Sequence, residues 1–361
     1  MKTGREISHG KVMLSLASFV VVVAGIMAAA SIITPILLSL FISIICIQPI
    51  LWLNKKGLNH TLAVIIVLIG IIAIFTGFGA VIGNTINDFA NDAPYYANKL
   101  RGLLDGLIHT LNEKGINISA EKWESIIDLG SVMNYTANVL SDFGSFMGNT
   151  MLIFFIVVFI LLERASIRLK AEIIADSYHN SLDVPLTIIE SIRSYLGLKT
   201  LISIATGLFI WVWLLIFGVD YALLWGLIAF LLNYIPNIGS IIAGIPTILF
   251  ALVQLGPAHA GWTMLGYGII NMVVGNVVEP RVMGQKMQLS TLIVFISLVF
   301  WGFMLGTIGM FLAVPLTMIF KIILDQNPRT AWISIMLGSE QHAREVAQEN
   351  SLKKKKREAR A

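Results

Sequence analysis

Charge and oxidisable sulfur are both scarce in this sequence, and the two scarcities set its first limits. Cys46 is the single cysteine in 361 residues, so an intramolecular disulfide is excluded. It lies inside an apolar run and reads as a packing residue. Charged residues make up 13% of the chain and hydrophobic ones 57%, whereas roughly a quarter of a soluble domain is charged. The scarce charges are also clustered. No Asp, Glu, Lys or Arg stands between Lys11 and Lys55, and only Asp220 interrupts the stretch from Lys199 to Glu279. Each gap exceeds the roughly 20 apolar residues that a membrane helix needs. The formal net charge of +4 comes mostly from Lys353, Lys354, Lys355, Lys356, Arg357 and Arg360. That run is a local tail, solvated or touching anionic headgroups, and implies no nucleic-acid partner.

Enzyme signatures are missing as well. HExxH, GxSxG, CxxC and Walker patterns are absent, and the six histidines, at 9, 60, 109, 179, 259 and 342, fall in tails, loops or span ends. The expectation is therefore a protein with no catalytic residue, no metal and no cofactor.

What is present reads as an all-α polytopic membrane protein. Residues 1–31 imitate a secretory signal, but a second apolar run follows, so they read as an uncleaved first helix. Residues 1–85 supply three N-terminal membrane helices, with a turn at Ser31, Thr34 and Pro35 separating the first two. Residues 86–145, rich in Asp and Glu, read as a periplasmic insert of amphipathic helices in which Leu103, Leu104, Leu107, Ile108 and Leu111 recur at helical spacing. A fourth crossing follows at 146–164, then amphipathic cytoplasmic helices at 165–199, the second opened by Pro185.

Residues 200–325 form the least regular region, ahead of a basic cytoplasmic tail at 326–361. Within it, 221–255 and 289–320 are too long for one crossing and carry helix breakers. Pro236, Asn237, Ile238, Gly239 and Ser240, with Gly244 and Pro246, interrupt the first; Gly302, Gly306 and Gly309, with Pro315, mark the second. Freed backbone groups are tolerated in hydrocarbon only where protein or a wet cavity satisfies them, so both stretches read as broken helical hairpins, entered from opposite faces. The count is then about seven to nine membrane-inserted helices. The Lys/Arg bias places both termini in the cytoplasm of a bacterial inner-membrane, multi-pass protein.

Asn233, Asn237, Asn271 and Asn276 are the polar side chains that stand out in these spans. Amide groups replace the hydration of an uncharged polar solute without adding charge, which makes them pathway candidates with Pro236, Gly239 and Ser240; the alternative is glue between helices. Glu279 could pair with Arg281, accept a coupling proton, or bond the backbone of the neighbouring hairpin. Gly302 and Gly306, like Gly79 and Gly83, are spaced for close helix approach, and Gly302, Gly306, Gly309 and Pro315 are hinge candidates.

The motifs Asn233-Tyr-Ile-Pro-Asn-Ile-Gly-Ser240, Gly275-Asn-Val-Val-Glu-Pro-Arg-Val-Met-Gly284, Leu289-Ser-Thr-Leu292 and Gly309-Met-Phe-Leu-Ala-Val-Pro-Leu316 resemble those of the autoinducer-2 exporter family. The likeness covers nearly the whole chain apart from the tail. It implies export of a furanone quorum signal by a homo-oligomer, with a pentamer as the form suggested. Some relatives in that broad family resemble sodium or lithium/proton antiporters, and many carry His-Pro where this chain has Ser290-Thr291, a departure that agrees with the signal-exporting branch. The expected function is secondary export of a small polar molecule, most specifically autoinducer-2, by alternating access. A cation/proton antiporter and, outside transport, a membrane scaffold or sensor are the rival readings.

Overall fold

The computed structural model describes residues 9–113, 150–178, 183–236, 238–283, 289–327, 329–340, 343–344, 346–348 and 351. Helices dominate: α1 (His9–Ala28), α2 (Ala30–Lys55), α3 (His60–Glu113), α4 (Thr150–Tyr178), α5 (Asp183–Ile216), α6 (Ala222–Leu232), α7 (Ile238–Leu255), α8 (Pro257–Val273), a π segment (Val274–Val278), α9 (Glu279–Met283), α10 (Thr291–Asp325) and α11 (Ala331–Leu337). Among the described residues, six stretches are long and apolar enough to cross a membrane: Ala30–Lys55, His60–Gly77, Leu186–Ile216, Ile238–Leu255, Pro257–Met283 and Thr291–Asp325. Ala17–Ala28 and Ala222–Leu232 are shorter apolar helices. The protein is all-α and polytopic.

Several sequence-drawn boundaries move. The break between α1 and α2 falls at Ala29, whose N–H bonds Gly25 C=O while its own C=O accepts from Ile32 and Ile33. Thr34 and Pro35 lie inside α2, because a proline near a helix start removes few intrahelical bonds. The span-length apolar stretch is His60–Gly77, but the helix that carries it does not end at residue 85. α3 runs unbroken for 54 residues to Glu113, so the first half of the presumed insert is its continuation. Pro94 is accommodated within it. Residues 114–149, the rest of that insert, lie outside the described residues. The helix expected as the fourth crossing likewise continues past Glu163 to Tyr178 as α4, which is not among those six stretches, and the second segment expected in the cytoplasm is the beginning of α5, with Pro185 in its first turn. In each case polarity changes along the sequence without a residue that stops a helix.

The chain divides into two compact units. One comprises Met1–Ile45, Leu152–Arg193 and Met287–Ala361. Here Ser39 donates to Pro35 C=O, a same-helix bond, and also lies 3.2 Å from Ile153 C=O on α4. α10 dominates this unit and is not a straight rod. In one, Trp301 and Thr317 would stand about 24 Å apart, yet the Trp301 indole donates to the Thr317 hydroxyl at 3.1 Å. The chain therefore doubles back, and the reversal is at Gly306 (φ 67, ψ −153). Gly302 and Gly309 do not break the helix. They are buried on the two legs, Gly302 against Met310 and Gly309 against the Trp301 carbonyl. Pro315 lies buried within the second leg. The start of α10 is closed by Ser290, whose hydroxyl accepts from Ile293 N–H and whose own N–H bonds Leu337 C=O at the end of α11. Part of the expected tail is thus helix α11.

Gly306 occupies a backbone region that is essentially glycine-only, although the space around it is open. Gly306→Ala is expected to cost about 1–3 kcal/mol through backbone strain alone. Thermal unfolding in detergent would read this as a lowered midpoint with no change in oligomeric size.

The other unit holds Cys46–Met151 and Ser194–Lys286. α6 and α7 run antiparallel, since Trp225 early in α6 packs against Phe250 late in α7 with ring centroids 5.7 Å apart. Between α6 and α7 the described residues 233–236 are not helical, while Gly244 and Pro246 sit inside continuous α7. Gly79 and Gly83 have no atom within 4 Å of a would-be Cβ and so serve no close approach among the described residues.

Candidate functional site

The second unit gathers its polar side chains along one face of α5. Lys199, Ser203 and Thr206 recur at spacings of four and three, which places them on one side of the helix, and all three are buried. Such a stripe is costly in an apolar setting unless each member finds a partner.

The partners come from the tip of the α6–α7 pair and from the end of the α8 stretch. Asn233, the C-cap of α6, donates its Nδ2 to Ser203 Oγ at 3.0 Å. The next residue, Tyr234, donates its phenol to Thr200 Oγ1 at 2.7 Å, and Thr200 in turn donates to Leu196 C=O. Lys199 Nζ meets Glu279 Oε1 at 2.7 Å, with the lysine side chain 2% exposed and the glutamate 20%. The tip is therefore docked through neutral side chains beside a nearly dry ion pair.

Backbone architecture makes this docking possible. α5 and α6 approach closely because glycines face each other: a Cβ on Gly207 would stand 2.7 Å from Gly226 O, and one on Gly226 2.9 Å from Gly207 O. At the tip, Ile235 N–H bonds Leu232 C=O and Ile238 N–H bonds Pro236 C=O, and α7 starts with Gly239 pressed on the Leu232 carbonyl. Any larger residue there would push α7 off α6.

Glu279 follows the π segment directly. Pro280 has no N–H and its ring conflicts with the carbonyl four residues earlier, so a wider turn before it relieves that conflict. The helix resumes as α9 with Glu279 turned toward Lys199.

The sequence candidates separate accordingly. Asn233 and Glu279 come into the α5 cluster, Pro236 and Ser240 are half-buried at the tip, and Gly239 is buried there. Asn237 lies outside the described residues. Asn271 is half-buried and Asn276 exposed, and neither bonds Asn233 or its partners. Glu279 does not pair with Arg281, which is exposed; the buried Lys199 is the stronger partner because water does not compete there. Gly302, Gly306, Gly309 and Pro315 belong to the other unit. Sequence reasoning passed over Lys199, Ser203, Thr200 and Tyr234. The available signal was a lone lysine heading an uncharged run, with hydroxyl residues at helical spacing behind it.

The opposite end of the α6–α7 pair is polar and aromatic. Tyr96 on α3 donates to Asp220 at 3.1 Å, and Tyr221 donates to Asp92 at 2.7 Å. Burial first, and then these carboxylates, hold both phenols well above the usual tyrosine range, so both remain hydrogen-bond donors at neutral pH.

Comparison with known sequences gives a consistent result. The sequence model described as "AI-2E family transporter" matches residues 16–329. The AI-2 transport protein TqsA of Escherichia coli is 38% identical over 91% of this chain and 95% of its own length. A putative transport protein of Haemophilus influenzae is 37% identical over 91% and 96%. The putative transport protein YhhT of Escherichia coli is 33% identical over 93% and 95%.

Proposed function

The chain belongs to the AI-2E transporter family, a family of membrane transporters, and on that premise we propose that it exports a small, uncharged, hydroxyl-rich signal of the autoinducer-2 kind. The observation that carries this reading is the tip of the α6–α7 pair, which brings Asn233 and Tyr234 to Ser203 and Thr200 within a bundle otherwise made of apolar helices. α6 has 11 residues, a length of about 16 Å against a hydrocarbon core of about 30 Å. α6 is thus too short to cross untilted whereas α7 is long enough, and the pair acts as a helical hairpin that presents its interrupted end to a polar site. Neutral amide and hydroxyl groups can exchange bonds with one another for bonds with a solute at little electrostatic cost. The name of the relative TqsA supports autoinducer-2 as the solute.

In this reading the protein works as a secondary transporter by alternating access. It sits in the inner membrane with both termini in the cytoplasm and assembles as a homo-oligomer. The test is efflux of autoinducer-2 from proteoliposomes containing purified protein. Asn233→Ala removes one bond donor of the site, worth on the order of 1.4 kcal/mol or a tenfold change, so efflux is expected to slow about tenfold while folding is retained. Unchanged efflux removes the site from the mechanism. Proton movement that follows a sodium gradient with no solute present would instead favour the antiporter reading.

A further inference from the structure

α8 carries a polar row beyond the tip site. His259, Thr263, Tyr267 and Asn271 recur along it at intervals of four residues, so successive members stand about 6 Å apart along the axis. Thr263 is fully buried, and neither its hydroxyl nor the buried Nδ1 of His259 has a hydrogen-bond partner among the described residues. Tyr267, also buried, donates its phenol at 3.0 Å to the Thr247 hydroxyl of α7, whose own proton goes to Ala243 C=O. Asn271 is half-buried.

The contacts of α8 fix where the row points. Gly266 is pressed on the Trp213 ring of α5, whose indole donates to Trp262 C=O at 3.0 Å. Tyr267 faces α7, where a Cβ on Gly244 would stand 3.2 Å from its ring. At about 100° per residue, Thr263 falls between those two directions, about 60° from Gly266 and about 40° from Tyr267, and His259 falls between them as well. Both unpartnered groups therefore point into the seam where α5, α7 and α8 meet.

That seam starts at the site already described. α5 and α8 run antiparallel, with Lys199 at Glu279 and Trp213 at Trp262, so the buried Thr206 is about level with Asn271. From Asn271 the row runs about 18 Å to His259. His259 lies in the first turn of α8, at the end where Gln254 of α7 meets Asp220, which is the outer end in the orientation proposed above. Packing alone does not call for these residues. Small apolar side chains would let the helices approach, whereas an unpartnered buried hydroxyl costs stability. A step of about 6 Å is also what one water molecule, or one solute hydroxyl, spans with two hydrogen bonds of about 2.8 Å.

We propose that this seam is the outward leg of the solute path, in which Asn271, Tyr267, Thr247, Thr263 and His259 pass an uncharged, hydroxyl-bearing solute and its water from the Ser203–Asn233 site to the outer end of α8. The inference rests on the solute reading above and adds the route. Groups that both donate and accept hydrogen bonds suit a solute whose hydroxyls do the same. Thr263 and Thr247 are fully buried in the conformation described, so the leg is closed there and carries solute only when α7 and α8 part.

Thr263→Val keeps the shape of the side chain and removes the hydroxyl. Two opposite effects are expected. The melting midpoint in detergent should equal or exceed that of the unaltered protein, because an unpartnered polar group is gone, while autoinducer-2 efflux from proteoliposomes should slow about fivefold. Unchanged efflux overturns the proposal, and so does a lowered midpoint, which would mean that the hydroxyl is bonded within the protein.

Hydration of the seam gives a reading independent of flux. In a Cys46→Ser background, Thr263→Cys is treated with 2-aminoethyl methanethiosulfonate, which attacks the thiolate and so requires water at the site. Thr263 is 0% exposed and Cys46 7%, so static burial ranks Cys46 as the more reactive position. The proposed leg reverses that order: Thr263→Cys should be modified at least tenfold faster than Cys46 in the unaltered protein, and equal or slower modification overturns it. Fast modification without autoinducer-2 efflux from the unaltered protein would count against the solute reading alone, since the hydrated route would stand for another polar solute.

Discussion

Lys199→Met is expected to destabilise the protein by roughly 3–5 kcal/mol, the range found when one partner of a buried ion pair is removed. The lysine is almost fully buried, so the change leaves the Glu279 carboxylate without its counter-charge. Glu279→Met leaves an ammonium stranded in a drier place. It should cost at least as much, because the stranded lysine is the more deeply buried of the two. The double variant Lys199→Met/Glu279→Met should recover most of the loss, since replacing both charges by apolar side chains of similar size is often neutral or stabilising. Thermal unfolding in detergent across this cycle measures the coupling. Near-additive single effects would show that the pair is not the unit described here.

The second large effect concerns glycine. A Cβ on Gly239 would overlap the Leu232 carbonyl oxygen, and one on Gly309 would overlap that of Trp301. Both obstacles are backbone, which has no rotamer by which to withdraw. Gly239→Ala and Gly309→Ala should therefore reach or exceed the upper end of the roughly 1–3 kcal/mol typical of overpacking. Gly79→Ala is the control: it lies mid-helix with open space around its Cα, so alanine should be neutral or stabilising by about 0.5–1 kcal/mol. Folded yield and melting temperature of the three variants, compared side by side, decide the matter. A stable Gly239→Ala would mean that α6 and α7 are further apart than described.

How far the residues foretold this arrangement differs from place to place. Hydropathy and charge gaps located the apolar helices, because burial in lipid demands long uncharged runs. They misplaced helix ends wherever polarity changed without a breaker, as at residue 85 in α3 and after Glu163 in α4. Breakers were visible as residue types, but their effects were not. Gly306 reverses the chain, whereas Pro246 is absorbed in α7 and Gly302 serves as a contact surface. Which outcome holds depends on what packs opposite, and that is long-range information.

The site shows the same division. Asn233 and Glu279 stood out because amides and carboxylates are rare in apolar runs. Their partners did not, since Ser203 and Thr200 are common in membrane helices and Lys199 looked like a boundary marker. Pairing across 80 positions, as between Lys199 and Glu279, leaves no local pattern to read.

The π segment at Val274–Val278 has one more implication. A π turn amounts to one surplus residue in an α-helix, and each residue advances the helix by about 100°. Deleting a single residue there would restore ordinary winding while swinging Glu279 about a quarter of a revolution around the axis, away from the ammonium it meets. The phase of Glu279–Met283 is thus set by one supernumerary position in the five residues before it.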